Sequence, residues 1–225
     1  MKYLFNGVSL QNGRQSNMDS LLLKSRQIAG KSAVLAVVCD GVGSMADGAF
    51  ASGTAVVMLS EWFSKLAAAE RAGLKMRDTV LEINSRIVSE AEKHDLNAAS
   101  TLSALLLVEN EFFIVHTGDS RVYSFGDGAL STHTGDDVTE SGKLVGYIGK
   151  RGEIFPQYSE GAATGKVFLV CSDGLYKRMD ESFMAMKMKN WSKRSMKESL
   201  ESLPQYVISR GEQDNITLAI VKILV

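Results

Sequence analysis

The sequence predicts an α+β sandwich, two sheets packed face to face with helices outside. Three observations carry this expectation. Apolar runs rich in valine, such as 33–39 (AVLAVVC) and 166–171 (KVFLVC), read as buried strands. Two longer segments, 48–69 and 76–95, repeat their apolar residues at helical spacing. The elements run in the order strands, two helices, many strands, helix, strand.

Residues 2–10 and 19–28 read as two strands forming a first hairpin at a sheet edge, and 33–39 as a buried strand. Gly41, Gly43 and Gly48 then mark a loop. In the helix over 48–69, Phe50, Val57, Leu59, Trp62, Phe63 and Leu66 crowd one broad side. In the helix over 76–95, Val80, Ile83, Ile87 and Ala91 keep the helical period. Residues 101–108 and 111–117 read as a hairpin turning at Glu109-Asn110, and 122–125 continue as a strand. Gly126-Asp127-Gly128 is a turn signal. Residues 133–165 are glycine-rich and weakly periodic, and read as a long functional loop. A buried strand at 166–171, helices at 181–190 and 195–210, and a strand at 215–224 complete the chain. The methionines Met184, Met186, Met188 and Met196, with Trp62 and Trp191, read as packing residues. The lysines and arginines around 187–197 read as a solvated face.

The 225 residues carry a net charge of −1, with 45% apolar and 23% charged residues. That balance gives no electrostatic case for nucleic acid or a membrane surface. No apolar run approaches the ~20 residues that span a bilayer, and the N-terminus lacks a signal-peptide pattern. With two prolines, no repeat and no low-complexity tract, 1–225 reads as a single cytoplasmic domain without membrane anchor or accessory domain, its size and balanced charge compatible with a monomer. The two cysteines, Cys39 and Cys171, sit inside apolar runs and read as reduced core thiols. His94, His116 and His133 have no metal-binding spacing.

The chemistry lies in four short acidic segments: Asn17-Met18-Asp19, Asp40-Gly41-Val42-Gly43, Ser172-Asp173-Gly174 and Asp214-Asn215. Asp40, Asp173 and Asp214 flank buried strands, where a carboxylate is costly unless neutralised. Two negative charges about 4 Å apart repel by roughly 4 kcal/mol at an effective dielectric of about 20. If these strand ends converge, bound cations are the simplest compensation, and hard oxygen ligands select Mg²⁺ or Mn²⁺. Asp40 is then the natural bridge between two ions, with the Gly41 carbonyl free to approach one of them. Asp173 and Asp214 complete one ion, and Asp19 supports the other directly or through water. Arg14 offers a guanidinium fork for two phosphate oxygens. A pair of such cations acidifies a water and clamps a phosphoryl group.

At this point the chain resembles the metal-dependent protein phosphatases (PPM family, type 2C serine/threonine phosphatases). Arg14-Gln15-Ser16-Asn17-Met18-Asp19 resembles the family's R-x-x-N-E-D, and Asp40-Gly41-Val42-Gly43-Ser44 its D-G-x-G-G. Ala99-Ser100-Thr101-Leu102 resembles G-[ST]-T-[AL], and Gly118-Asp119-Ser120-Arg121-Val122-Tyr123 resembles G-D-S-R-x-Y. The segment 143–149 is similar to the family's L-T-[RQ]-A-[LI]-G. Ser172-Asp173-Gly174-Leu175 and Asp214-Asn215-Ile216-Thr217 match S-D-G-L and D-N-[IV]-T. Each motif alone reads as a turn or cap; the ordered set, nearly spanning the chain, carries the resemblance.

The resemblance implies a four-layer α-β-β-α sandwich and hydrolysis of phosphoserine and phosphothreonine by a water or hydroxide between two Mn²⁺ or Mg²⁺ ions. It implies metal ligation by Asp40, Gly41, Asp173 and Asp214, water-mediated support from Asp19, and phosphate binding by Arg14. Asp119 resembles the ligand of a third, weaker ion, Arg121 has a structural role or pairs with Asp119, and 136–165 resembles the family's flap. The implied partners are phosphorylated Ser/Thr proteins and a bacterial Ser/Thr kinase. Three departures stand out. Met18 replaces an acid, Ser44 a glycine, and Val42 stands where some eukaryotic members carry histidine, which fits a bacterial-type enzyme. Met18 also motivates an alternative, a catalytically weak member that binds phosphoproteins or a regulatory partner. A phosphatase for a sigma-factor regulator is a further reading.

Overall fold

The computed structural model describes residues 2–189 and 192–224; Asn190 and Trp191, at the end of one expected helix and in the following link, lie outside the described residues. The elements are β1 (Lys2–Leu10), β2 (Ser20–Ile28), β3 (Lys31–Cys39), α1 (Gly48–Lys65), α2 (Ala72–His94), β4 (Leu102–Val108), β5 (Glu111–Thr117), β6 (Arg121–Gly126), β7 (Ala129–Thr132), β8 (Gln157–Ala162), β9 (Val167–Cys171), α3 (Asp173–Tyr176), α4 (Glu181–Lys189), α5 (Lys193–Ser209) and β10 (Ile216–Leu224). They form two five-stranded sheets, β1-β10-β9-β6-β7 and β2-β3-β4-β5-β8, antiparallel throughout.

Side-chain alternation explains the layering. In β3, Val34, Ala36 and Val38 meet Phe168, Val170, Ala219 and Val221 of the opposite sheet. The intervening Leu35, Val37 and Cys39 pack against Leu59 and Phe63 of α1 and Val80, Ile83 and Ile87 of α2. On the other side, Leu169, Cys171, Leu218 and Ile220 cover Met184 and Met188 of α4 and Met196, Leu200 and Leu203 of α5. Strands β3 and β9 are thus buried on both faces, which is why their sequences are unbroken apolar runs. The order is helices, sheet, sheet, helices, the predicted four-layer sandwich.

Several expectations are corrected. Residues 2–10 and 19–28 are both strands but not a hairpin: β1 pairs with β10 and β2 with β3, in different sheets. Tyr3 and Phe5 pack between the sheets while Leu4, Val8 and Leu10 pack toward the helices, so β1 needs two covered faces and finds them beside β10. The segment 133–165 is not a continuous loop. Its β8 pairs with β5, and the half-exposed edge sequence QYSEGA hides the apolar period. Helix α1 stops at Lys65 because Leu66 turns extended and is only 6% exposed, inside the same cluster as Phe63. Helix α2 starts earlier, at Ala72; Gly73 lets it lie close to Phe113 and Tyr158. Met184, Met188 and Met196 are core residues, but Met186 is 59% exposed.

Candidate active site

The four acidic segments come together at one end of the sandwich. A cleft of about 540 Å³ is lined by Arg14, Met18, Asp40, Gly41, Asp119, Asp173 and Asp214, with Leu144 reaching in from the segment after β7. The link between β1 and β2 crosses from one sheet to the other and carries Arg14 and Met18 into it, with Asp19 buried at its end.

Asn215 fixes that link. Its Nδ2 donates to the carbonyls of Gln11 (2.8 Å) and Ser16 (3.0 Å), and its Oδ1 accepts from the Met18 N–H (2.9 Å). Sequence reasoning quoted Asn215 as part of a motif but gave it no role. Asp40 follows β3, where its N–H donates to Thr101 Oγ1 (3.0 Å) and its carbonyl accepts from the Thr101 N–H (2.9 Å) and Ser100 Oγ (2.9 Å). Thr101 Oγ1 also meets Ser120 Oγ at 2.7 Å, tying the β5–β6 turn to the same place. In that turn Gly118 has φ +115°, and a Cβ there would strike Thr101. Gly174 is equally constrained: a Cβ would fall on the Asn215 carbonyl, against which α3 packs.

The carboxylates differ in their partners. Asp214 accepts both arms of Arg14, Nε to Oδ1 at 2.8 Å and Nη2 to Oδ2 at 2.7 Å. Burial opposes its ionisation, but Arg14 and the Asn215 N–H outweigh that and hold its carboxyl below the ordinary range. Asp173 Oδ2 is held by Lys177 Nζ, which also lies 3.7 Å from Asp119 Oδ2. Burial works to lower the Lys177 ammonium, and the hydrogen bond and charge of Asp173 together with Asp119 raise it. Asp119 itself is pushed up by burial and then by the charge of Asp173. Asp19 sits beneath the cleft, 8% exposed, with Oδ2 accepting from Ser172 Oγ at 2.9 Å. Burial pushes it up to about 6 against the pull of its hydrogen bonds. Asp40 is pushed well above the usual range by burial, then by the charges of Asp19 and Asp173.

Arg121 does not pair with Asp119. Its guanidinium forks onto Asp136, at 2.9 and 2.7 Å, donates to Tyr123 Oη at 3.0 Å and lies 3.8 Å over the Tyr176 ring. Asp136 belongs to the segment read as flap, and Asp137 beside it accepts from the Gly118 N–H at 2.9 Å. This segment is therefore anchored at its start to the Gly118–Arg121 turn. Lys177 and Asp136 were missed in the sequence, although the spacing of Asp173 and Lys177 by four is an ion-pair signal once α3 is known to be helical.

A divalent cation fits this set of residues. Asp19 Oδ1 and Asp173 Oδ1 are buried without a hydrogen-bond partner, an expensive state for a carboxylate. All the side-chain donors are hard oxygens. At Gly41 a Cβ would lie 2.6–2.7 Å from backbone atoms of Gly48 and Met18, so only glycine fits at this point of the cleft wall. As the side chains stand, no three His, Cys, Asp or Glu among the described residues close around one point. Arg14 and Lys177 each hold a carboxylate that an ion would share.

Comparison with known proteins shows the family and the fold. Residues 7–207 match the family described as protein phosphatase 2C. The serine/threonine phosphatase stp of Listeria monocytogenes is 30% identical over 218 residues, 84% of each chain. The serine/threonine protein phosphatase PstP of Mycobacterium tuberculosis is 27% identical over 248 residues, covering 94% of this chain and 43% of that protein. Among solved structures, PppA, described as a key regulatory component of T6SS in Pseudomonas aeruginosa, has a TM-score of 0.82 at 26% identity over 99% of this chain and 98% of that one. The catalytic domain of PstP in complex with two manganese ions shares the fold, with a TM-score of 0.85 at 24% identity over 99% of each chain. The chain belongs to the protein phosphatase 2C family and is a metal-dependent phosphatase.

Proposed function

We propose that this protein hydrolyses phosphoserine and phosphothreonine in proteins, that its cleft is the catalytic site, and that the whole chain serves as one catalytic domain. The observation that supports this best is the convergence of Asp40, Asp173 and Asp214 on one cleft with Asp19 buried beneath it, and buried unpartnered carboxylate oxygens on Asp19 and Asp173 beside a half-exposed guanidinium. Asp40, Asp173, Asp214 and the Gly41 carbonyl would hold two Mn²⁺ or Mg²⁺ ions, with Asp19 supporting them from beneath. When bound, such ions supply an acidified water and neutralise phosphoryl charge.

The remaining work falls to the chain itself. Arg14 exchanges the Asp214 carboxylate for two phosphoryl oxygens, presenting the same two-armed fork. Asn215 keeps Arg14 in place by clamping the link that carries it. Thr101 and Ser100 fix the Asp40 backbone, so the carboxylate is positioned before substrate arrives. Leu144 gives the cleft wall an apolar side. The substrates are phosphorylated Ser/Thr proteins, in this reading the products of a bacterial Ser/Thr kinase, and the site of action is the cytoplasm. No helix among the described residues is long and apolar enough to cross a membrane.

The test is release of phosphate from a phosphothreonine peptide with millimolar Mn²⁺, with EDTA and Asp40→Asn as controls. The expected result is metal-dependent turnover that falls by at least ~100-fold in the variant, the scale of losing an electrostatic catalytic group. Unchanged turnover in Asp40→Asn would overturn the assignment.

A further inference from the structure

Lys177 is a cation that the family-like motifs do not account for. It lies one residue beyond α3, and its N–H donates to the Asp173 carbonyl at 3.1 Å, so its place is set by the helix that begins with Asp173. Its Nζ holds Asp173 Oδ2 and stands 3.7 Å from Asp119 Oδ2. Those carboxylates come from different elements, one heading α3 and one in the β5–β6 turn, and both are largely buried. Tyr176 Oη donates to the Asp119 carbonyl at 2.7 Å, so the same helix grips the turn beside the lysine. Arg14 lines the cleft and is bonded to Asp214; Lys177 is not among the lining residues, and its half-exposed side chain reaches the two more buried carboxylates.

We propose that Lys177 is a built-in counter-ion whose ammonium fills the position between Asp119 and Asp173 where a further divalent ion would otherwise bind, so that the protein works with two ions and not three. Two carboxylates close enough to share one ammonium repel each other unless a cation stands with them. A tethered ammonium supplies it at every metal concentration, and a lone pair of carboxylates does not. The inference rests on the reading of the cleft as a divalent-cation site.

The test counts Mn²⁺ bound to the full chain, by the electron paramagnetic resonance signal of free Mn²⁺ and by calorimetry. Two ions per chain are expected for the native protein and for Lys177→Arg, and three for Lys177→Met. The third ion is expected to disappear again in Lys177→Met combined with Asp119→Asn, which separates a new site from a general gain in affinity. Metal-free Lys177→Met is expected to melt below the native protein and to recover with Mn²⁺. Three ions on the native protein, falling to two in Asp119→Asn alone, would overturn the proposal without any Lys177 variant. So would an unchanged count of two in folded Lys177→Met. Native protein that binds no Mn²⁺ would overturn the cation-site reading itself, and this inference with it.

Discussion

Replacing Asp19 by Asn is expected to stabilise the metal-free protein while damaging the loaded one. Burial raises the Asp19 carboxyl from an ordinary 3.8 to about 6. A group raised on folding contributes stability that is fully present below its unfolded value and is lost as pH rises through its folded value. The window is therefore about pH 4 to 7. Across it, a rise of about two pH units corresponds to roughly 3 kcal/mol of lost stability. Asn keeps an oxygen for Ser172 Oγ and carries no charge, so the variant escapes the loss. For a chain of this size, 1 kcal/mol moves Tm by about 2–4 °C. In EDTA at pH 8, Asp19→Asn is expected to melt about 6–12 °C above the native protein, with the gain vanishing toward pH 4. Burial lowers His116 and His133, which makes stability rise with pH over part of the same range. That slope is shared by both proteins and cancels in the difference. With saturating Mn²⁺ the order is expected to reverse. A metal-free variant less stable than the native protein at pH 8 would refute the account of Asp19 as an uncompensated buried charge.

Gly41→Ala puts a Cβ 2.6–2.7 Å from the backbone of Gly48 and Met18, neither of which can rotate away. A loss of about 1–3 kcal/mol in urea unfolding is expected, with weaker Mn²⁺ binding by calorimetry as the carbonyl is displaced. Arg121→Ala leaves the half-buried Asp136 without its fork and is expected to cost about 2 kcal/mol in the same assay; Arg121→Lys is expected to recover little, because an ammonium cannot span both oxygens. Met18→Glu adds a carboxylate to the cleft wall and is expected to tighten Mn²⁺ about tenfold, or ~1.4 kcal/mol, which calorimetry would read directly. An unchanged dissociation constant would show that the native methionine is no handicap.

What was legible in the sequence was local. Asp40 with Gly41, and Asp173 with Gly174, each read alone as a turn and gained a metal-binding reading only from the ordered set of motifs; at Gly41 and Gly174 the fold has no room for a Cβ. Burial on both faces made β3 and β9 unbroken apolar runs, so these strands were plain. What failed was non-local. Strand β1 finds its partner more than two hundred residues away, in register Leu10 with Ile216, and nothing within 2–28 opposes the hairpin that proximity suggests. Arg121 has an acid two residues before it, Asp119, yet forks onto Asp136, because β6 directs its side chain toward the segment after β7. Strand β8 was invisible because an edge strand with one solvated face needs few apolar residues.

The distribution of counter-charge in the cleft accounts for the rest of its behaviour. Asp19, Asp40, Asp119, Asp173 and Asp214 face two cations, Arg14 and Lys177. Asp214, which has a guanidinium to itself, is held low; Asp40 and Asp19, which have neither cation as a hydrogen-bonded partner, are pushed up. The unmet demand for positive charge is therefore greatest around Asp40, Asp19 and the unpartnered Oδ1 of Asp173. It is smallest at Asp214, and on the Asp119 side an ammonium meets part of it, although burial and the Asp173 charge still push Asp119 up. In the proposed reading, divalent ions would be drawn to the floor of the cleft, and phosphate held by the Arg14 guanidinium would be presented to the same floor. Cation placement follows from which carboxylates the protein leaves unpaired, and in this chain Lys177 narrows that choice.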